Sequence, residues 1–339
     1  MAVRMKDIAA ELGVSVMTVS KVLRNEGRIS STTRERVLRR VAELGYEPNF
    51  TARGLVSGHS FLVGLVVPDL MHPFFSAMAK VISRKLRAEG YGLAISNSEE
   101  DSELERQEVA TFLARRIDAL ILASSQWSAP AKAFQQIEDA GVPYVLVDRM
   151  IPRLDAHFVG SDDEKIGVLA TEHLIERGYH RIAHIRRVGI STGAKRFRGY
   201  QATLKRHGRG TSSELVVDVE SSDEQGEQCG FLAMQKLLSL KRRPDAVFCY
   251  NDVIAYGGLK AIFAAGLRIP ADIAVIGVSN LASLSFWDVS PVALTTIDQG
   301  IQELANSTSN LVLDLIKGRP RPRAEHILLP PKLVVRSST

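Results

Sequence analysis

The sequence predicts an α/β protein in which a small helical domain precedes a two-lobed core of doubly wound parallel sheets. Two observations support this fold class. Residues 6–24 contain two short amphipathic helical segments joined by a glycine turn. From residue 61 onward, short apolar runs alternate with longer amphipathic stretches. Strands separated by helices of this length are typical of βαβ units, whose parallel sheets are covered on both faces.

The N-terminal segment has the pattern of a helix-turn-helix. Its two helices each carry an apolar stripe at helical spacing, made of Ile8, Ala9 and Leu12 in the first and Val19, Val22 and Leu23 in the second. Gly13 can adopt the positive φ of the turn, and Ser15 can N-cap the second helix. By these residues alone, an ordinary αα-hairpin remains an alternative. In a helix-turn-helix, the second helix would enter the major groove of DNA.

A third helix should complete this domain. It is predicted to begin at Ser31 or Thr32, with Thr32 and Glu35 spaced as a capping box, and to end at Gly45. Four of its apolar side chains would close a three-helix core, namely Val37, Leu38, Val41 and Leu44. We therefore expect a DNA-binding domain over residues 1–49, followed by a weakly helical linker over 50–60.

Charge and composition narrow the function classes. Residues 1–60 contain ten Lys and Arg against six Asp and Glu, which gives +4 of the chain's formal net charge of +5. A small basic module ahead of a nearly neutral body is expected for contact with phosphates. The two cysteines have no metal-ligand spacing, and the N-terminus lacks the apolar region of a signal peptide. We expect a cytoplasmic protein without a metal or other cofactor, and without a membrane partner.

The core should span residues 61–339 in two similar halves. Eight apolar runs predict its strands, at 61–67, 91–96, 118–123, 143–147, 181–185, 215–219, 245–250 and 273–277. The tail should add a helix at 300–317 and strands near 326–329 and 333–335. We expect an N-subdomain of about 61–161 and 292–323, and a C-subdomain of about 162–291 and 324–339. Ligands of such folds bind at the carboxyl ends of the strands, here in a cleft between the halves.

At this point the chain resembles the LacI/GalR (lac repressor) family of bacterial transcription regulators over nearly its whole length. The motifs that carry the resemblance include DIAAELGVS, TRERVLRRVAELGYEPN, GLVVPDLMHPFFSAM, ATEHLIERGYHRIAHI and GLRIPADIAVIG. It implies a hinge helix in the linker and a periplasmic-binding-protein-like effector core. It also implies a homodimer that binds a pseudo-palindromic operator, most often as a repressor, under the control of a small-molecule effector.

The resemblance assigns DNA contacts on the second helix. Val16 and Met17 occupy the two positions that most distinguish operators in the family, and Lys21 holds a third base-reading position. A lysine can donate to guanine O6 and N7, whereas Val16 and Met17 offer apolar contact, for example to a thymine methyl. Thr18 and Ser20 suit phosphate oxygens, which position the helix without specifying sequence. A buried, gap-filling Met17 is the alternative.

Three further DNA-binding residues follow from the same resemblance. Arg24 stands where the family usually has Asn, so an additional backbone or base contact is expected there. Arg53 matches the hinge motif, and Leu55 matches the leucine that wedges into a central base step and kinks the DNA. Packing of Leu55 on the core is the alternative.

The resemblance also places an effector site between the subdomains. Its predicted residues are Phe74, Phe75, Asp148, Arg149, Asp162, Arg196, Asn251, Ser279 and Trp287. Ser279 stands where many sugar-binding members have an aspartate. Because that carboxylate is lost while two arginines remain, we expect a positive cleft and an anionic effector, such as a sugar acid or sugar phosphate. A neutral sugar, a purine or a phosphoprotein co-effector are the alternatives.

Two other classes of protein are less consistent with the sequence. The chain has no GxGxxG after its first strand, no GxxxxGK[ST] loop and no GxSxG elbow, so we do not expect an enzyme. An exported solute receptor would share the two-lobed core. Such a receptor would need a signal peptide, and it would have no use for a helix-turn-helix. A DNA-binding regulator accounts for both parts of the chain.

Overall fold

The N-terminal domain is a three-helix unit. A computed structural model of the protein describes residues 3–23, 27–46, 58–126, 132–220, 225–284, 291–319 and 323–339. The helices are α1 (Met5–Leu12), α2 (Val16–Leu23) and α3 (Ser31–Glu43). Gly13 adopts a φ of 65°, and the Ser15 hydroxyl accepts a hydrogen bond from the Thr18 amide at 3.0 Å. Both features of the predicted turn are therefore confirmed.

Two details of α3 differ from the prediction. Its N-cap is Ser30, whose hydroxyl accepts from the Thr33 amide at 3.2 Å. Four consecutive hydroxyl residues offer equivalent caps in the sequence, and the extended backbone at Ser30 selects the first of them. Leu38 is 46% exposed, because the helix turns Val37 into the core and its neighbour away from it.

The first lobe of the core is built on an all-parallel six-stranded sheet. Its strands are β1 (Leu62–Val67), β2 (Gly92–Asn97), β3 (Ala119–Leu122), β4 (Tyr144–Val147), β5 (His157–Ser161) and β11 (His326–Leu329). Their spatial order is β11-β5-β4-β3-β1-β2. The helices of this lobe are α4 (Pro73–Ala88), α5 (Ser102–Ala114), α6 (Lys132–Asp139) and α11 (Ile301–Ile316).

The second lobe repeats this plan. Its strands are β6 (Ile182–Arg187), β7 (Val216–Val219), β8 (Ala246–Cys249), β9 (Ala274–Val278), β10 (Thr295–Asp298) and β12 (Lys332–Val334), in the order β12-β10-β9-β8-β6-β7. Only β12 among these is antiparallel to its neighbour. The helices are α7 (Asp163–Glu176), α8 (Ser191–Arg206), α9 (Gly226–Leu238) and α10 (Asp252–Ala264). The expected pair of doubly wound lobes is confirmed.

The polypeptide chain crosses between the two lobes at positions that differ from those predicted. We assigned residues 292–323 to the first lobe and 324–339 to the second. Instead, β10 pairs with β9 in the second sheet, where Ile297 is buried, and β11 pairs with β5 in the first sheet. After β10, the chain returns to the first lobe at α11. The buried Leu304, Leu311 and Val312 of this helix belong to the core of that lobe. The chain crosses back to the second lobe between β11 and β12.

The two lobes touch across the edge where their strands end. Val253 and Leu281 of the second lobe belong to the buried apolar cluster of the first. The loops after β1, β4, β8, β9 and β10 converge between the lobes. The candidate site therefore lies between the lobes, where these loops meet. None of the helices among the described residues has the length and apolar character needed to cross a membrane.

Candidate functional site

The outer face of α2 presents the predicted DNA-contacting residues. Val16 and Met17 are 46% and 60% exposed, so Met17 is not a buried gap-filler. Lys21 is also exposed, whereas Thr18 and Ser20 are half-buried. The Thr18 hydroxyl lies 2.9 Å from that of Ser15, within the cap of the helix. Arg24, Arg53 and Leu55 lie outside the described residues.

Seven of the predicted effector residues meet in one cleft between the lobes. The cleft is narrow, and about 20 Å³ of it is accessible to a water-sized molecule. Its predicted members are Phe74, Phe75, Asp148, Arg149, Arg196, Asn251 and Ser279. The prediction missed three further lining residues, His72, Tyr250 and Gln299. Each of these three stands just before a helix or just after a strand, and that position is the signal by which they could have been found. Trp287 lies outside the described residues.

Asp148 is aimed into the cleft by a strained turn. Its φ of 62° is left-handed, and the Arg149 amide donates to the Val147 carbonyl at 2.6 Å to close a γ-turn around it. A non-glycine residue in this conformation costs about 1–3 kcal/mol and is found most often at functional sites. Burial raises the pKa of Asp148, although Arg196 and Arg149 oppose that shift.

Arg196 is held between a carboxylate and a carbonyl. Its Nε donates to Asp163 at 2.9 Å, and its Nη1 donates to the Tyr250 carbonyl at 2.7 Å. The guanidinium also lies 4.6 Å from the centre of the Tyr250 ring. Asp162 does not line the cleft, because its side chain caps α7 by accepting from the Lys165 amide at 3.0 Å. The carboxylate that faces Arg196 belongs to the next residue.

Arg149 has a carboxylate partner that the sequence analysis did not find. Both terminal nitrogens of Arg149 donate to Glu100, each at 2.7 Å. Burial disfavours the charged form of Arg149, but the Glu100 carboxylate more than offsets this and raises the pKa of the guanidinium. Glu100 lies in the loop after β2, far from Arg149 in sequence. No motif in the sequence links the two residues.

A histidine and an asparagine join the lobes inside the cleft. Asn251 N-caps α10 by accepting from the Ile254 amide at 2.9 Å, and its Nδ2 lies 3.1 Å from His72 Nε2. Burial, helped by the nearby Arg149, lowers the pKa of His72 to about 4. The imidazole is therefore neutral at physiological pH, and one of its two ring nitrogens can accept a hydrogen bond, from the Phe74 amide or from Asn251.

Ser279 and Gln299 form the remaining polar wall. The Ser279 hydroxyl donates to Gln299 Oε1 at 2.9 Å, and Ser279 has a left-handed φ of 113°. Phe74 and Phe75 pack edge to face on the opposite side, with ring centres 5.2 Å apart. An apolar face combined with planar carboxylate, amide and guanidinium groups suits a small ligand with many hydroxyl groups. The described residues include no group of three or more His, Cys, Asp or Glu placed to hold a metal ion.

Comparison with known proteins agrees with this architecture. Residues 4–49 match the family described as bacterial regulatory proteins, lacI family. Residues 60–334 match the periplasmic binding proteins and sugar binding domain of the LacI family. The transcriptional regulator DegA of Bacillus subtilis is 31% identical over 98% of this chain and 97% of its own length. The ribose operon repressor of Escherichia coli is 32% identical over 98% of this chain and 99% of its own length.

Solved structures support the same assignment. The lac repressor bound to ONPG in its repressed state superposes with a TM-score of 0.84 and 27% identity, covering all of both chains. The chain belongs to the LacI family. It is a DNA-binding transcriptional regulator with a sugar-binding type of core.

Proposed function

We propose that the operator affinity of this regulator is controlled by a sugar acid or sugar phosphate bound between the lobes. The observation that carries the proposal is the pair Arg149 and Arg196. One comes from each lobe, both are buried, and both line a cleft with an aromatic wall. An arginine fork matches the geometry of a carboxylate or phosphate, and its charge-assisted hydrogen bonds are about twice as strong as neutral ones.

A neutral sugar is the second candidate, and one observation favours it. Glu100 and Asp163 already compensate the two arginines, so the cleft is less positive than the loss of a carboxylate at Ser279 suggested. In a balanced site of this kind, arginine and carboxylate groups can share the hydroxyls of an uncharged sugar. The charge of the effector therefore separates the two candidates.

We further propose that α2 reads the operator through the residues assigned above. The exposure of Val16, Met17 and Lys21 supports base contact, with Lys21 on guanine and the two apolar side chains on thymine methyls. Thr18 and Ser20 lie beside the helix cap, where their hydroxyls can position the helix on phosphates. The roles of Arg24, Arg53 and Leu55 rest on the family resemblance.

Operator release by matched ligands tests the effector class. An operator is first selected from random duplexes with the full-length protein, and its affinity is then measured by fluorescence anisotropy. Glucose, gluconate and glucose 6-phosphate are compared, followed by the same series built on ribose and galactose. We expect an acid or phosphate to change the operator affinity, and its neutral parent to have no effect at equal concentration. A response to neutral sugars alone would contradict the anionic effector.

A variant of Arg196 that tests this proposal must keep the positive charge that pairs with the buried Asp163. Arg196→Ala would leave Asp163 buried and uncompensated, which is strongly destabilising in itself. Arg196→Lys keeps the charge and loses the fork, so we expect a weaker ligand response with operator binding retained. Arg198→Lys, on an exposed position of the same helix, is the matched control and should respond as the wild type does.

A further inference from the structure

A second arginine approaches Glu100 from the other lobe. Arg149 follows β4 in the first lobe, whereas Arg187 is the last residue of β6 in the second. The Glu100 carboxylate accepts two hydrogen bonds of 2.7 Å from Arg149. The Nη2 of Arg187 lies 3.7 Å from the same carboxylate, beyond hydrogen-bond length. Two guanidiniums from different lobes therefore face one carboxylate.

The two arginines have donors that this carboxylate does not satisfy. Their side chains are 4% and 9% exposed. Within the described part of the chain, the buried Nε of each finds no acceptor. Buried donors without an acceptor are costly, so the arrangement favours a group that offers more oxygens than Glu100 does.

Glu100 lies in a loop with a strained backbone. Glu99 and Glu100 have φ values of 50° and 57°, in the left-handed region that non-glycine residues rarely adopt. The loop lies between β2 and α5, so moving it breaks no strand pairing. Such strained residues persist only where the surrounding contacts hold them, and they cluster at ligand clamps and switch regions.

We propose that Arg149 and Arg187 form a phosphate subsite that Glu100 fills when no effector is bound. The proposal rests on the anionic effector proposed above and narrows it to a phosphate monoester. A phosphate dianion offers three terminal oxygens and two charges for two guanidiniums, where Glu100 offers two oxygens and one charge. Binding of the phosphate displaces Glu100 toward solvent and ties the two lobes through Arg149 and Arg187. Arg187 is then a specificity-determining residue outside the immediate cleft lining.

The test measures phosphate binding to the full-length protein as a rise in the protein's thermal unfolding midpoint. This rise depends on the ratio of the phosphate concentration to Kd. Potassium phosphate is compared with potassium chloride at matched ionic strength. Glu100→Gln removes the internal competitor without changing its shape, and we expect phosphate to bind about tenfold more tightly, the worth of one charge-assisted hydrogen bond. Arg187→Gln should weaken binding by a similar factor. Arg187→Lys, which is less disruptive to folding, should fall between it and the wild type.

Neighbouring residues supply matched controls. Glu99→Gln changes an exposed carboxylate in the same loop. Arg186→Gln changes an arginine that points away from the cleft to pair with Asp218. Both should bind phosphate as the wild type does. Equal phosphate affinity in the wild type and Glu100→Gln, or equal losses in Arg186→Gln and Arg187→Gln, would overturn the subsite.

The same variants separate this proposal from the proposed function. If a sugar acid or sugar phosphate releases operator from the wild type and from Arg187→Gln at equal concentrations, the anionic effector stands and the subsite falls. If gluconate acts and glucose 6-phosphate does not, the effector is a carboxylate and the phosphate subsite falls. If only neutral sugars act, both proposals fall.

Discussion

His72 shows how a single side chain in the cleft depends on its protonation state. One of its ring nitrogens can accept a hydrogen bond, from the Phe74 amide or from Asn251 across the lobes, only while the ring is neutral. Burial keeps it neutral, since it lowers the pKa of His72 from 6.5 to about 4. In the unfolded chain the ring has its ordinary pKa. Between those two values the unfolded state binds a proton that the folded state does not, so His72 makes the protein less stable as the pH falls.

We therefore expect His72→Gln to flatten part of the pH dependence of stability. The free energy of unfolding is measured by urea titration at several pH values between about 7 and 4. The advantage of the wild type over the variant should shrink by up to about 3 kcal/mol as the pH falls through this window. Phe74→Leu changes the adjacent side chain without a titratable group, so its loss of stability should be the same at every pH. A constant difference for His72→Gln would contradict the lowered pKa.

At the scale of elements, two glycines fix where Arg196 stands. Helices α7 and α8 approach so closely that a Cβ on Gly167 would lie 2.0 Å from the Arg196 carbonyl oxygen. A Cβ on Gly199 would lie 2.2 Å from the Glu164 carbonyl oxygen. Backbone contact at this distance requires glycine on both helices. It sets the guanidinium of Arg196, on α8, against Asp163, on α7.

Gly167→Ala should consequently displace Arg196 and so weaken the effector site, although Gly167 does not line the cleft. The methyl group has to push α8 away, which costs about 2 kcal/mol or more for overpacking of a close contact. We expect a lower thermal midpoint and weaker binding of the effector identified by operator release. Gly210→Ala is the matched control, because Gly210 has open space around its Cβ position and no positive φ. A variant that loses stability and keeps full effector affinity would show that α8 does not position Arg196.

The same elements show what the sequence could and could not predict. Apolar runs flanked by amphipathic helices predicted most strands, because burial of parallel strands on both faces leaves a clear signal. The short β5 and β10 were missed, and with them the places where the chain crosses between lobes. The family resemblance predicted Asp148 and Asn251, and both lie just after the end of a strand. The pairing of Arg149 with Glu100 was not predictable from the sequence. Glu100 lies in the loop after β2 and Arg149 follows β4, so only the tertiary fold brings the two side chains together.

At the scale of the whole core, polar contacts join the two lobes. Among them, the Met150 amide of the first lobe donates to the Ser191 hydroxyl of the second at 2.9 Å, and Asn251 approaches His72. A ligand that contacts both lobes stabilises the arrangement in which these bonds form. The coupling between effector and operator is reciprocal, so each must change the affinity of the other by the same factor.

Ser191→Ala tests whether this arrangement is the one the effector selects. The variant loses a hydrogen bond between lobes worth about 1 kcal/mol, and Ser191 is absent from the cleft lining. We expect effector affinity to fall about fivefold through a shift in population. Operator affinity, measured without effector, should rise if the effector releases DNA and fall if it promotes binding. Ser309→Ala removes a hydrogen bond within α11 alone and should leave both affinities unchanged. Unchanged affinities in Ser191→Ala would show that the effector does not select the arrangement of the lobes in which this hydrogen bond forms.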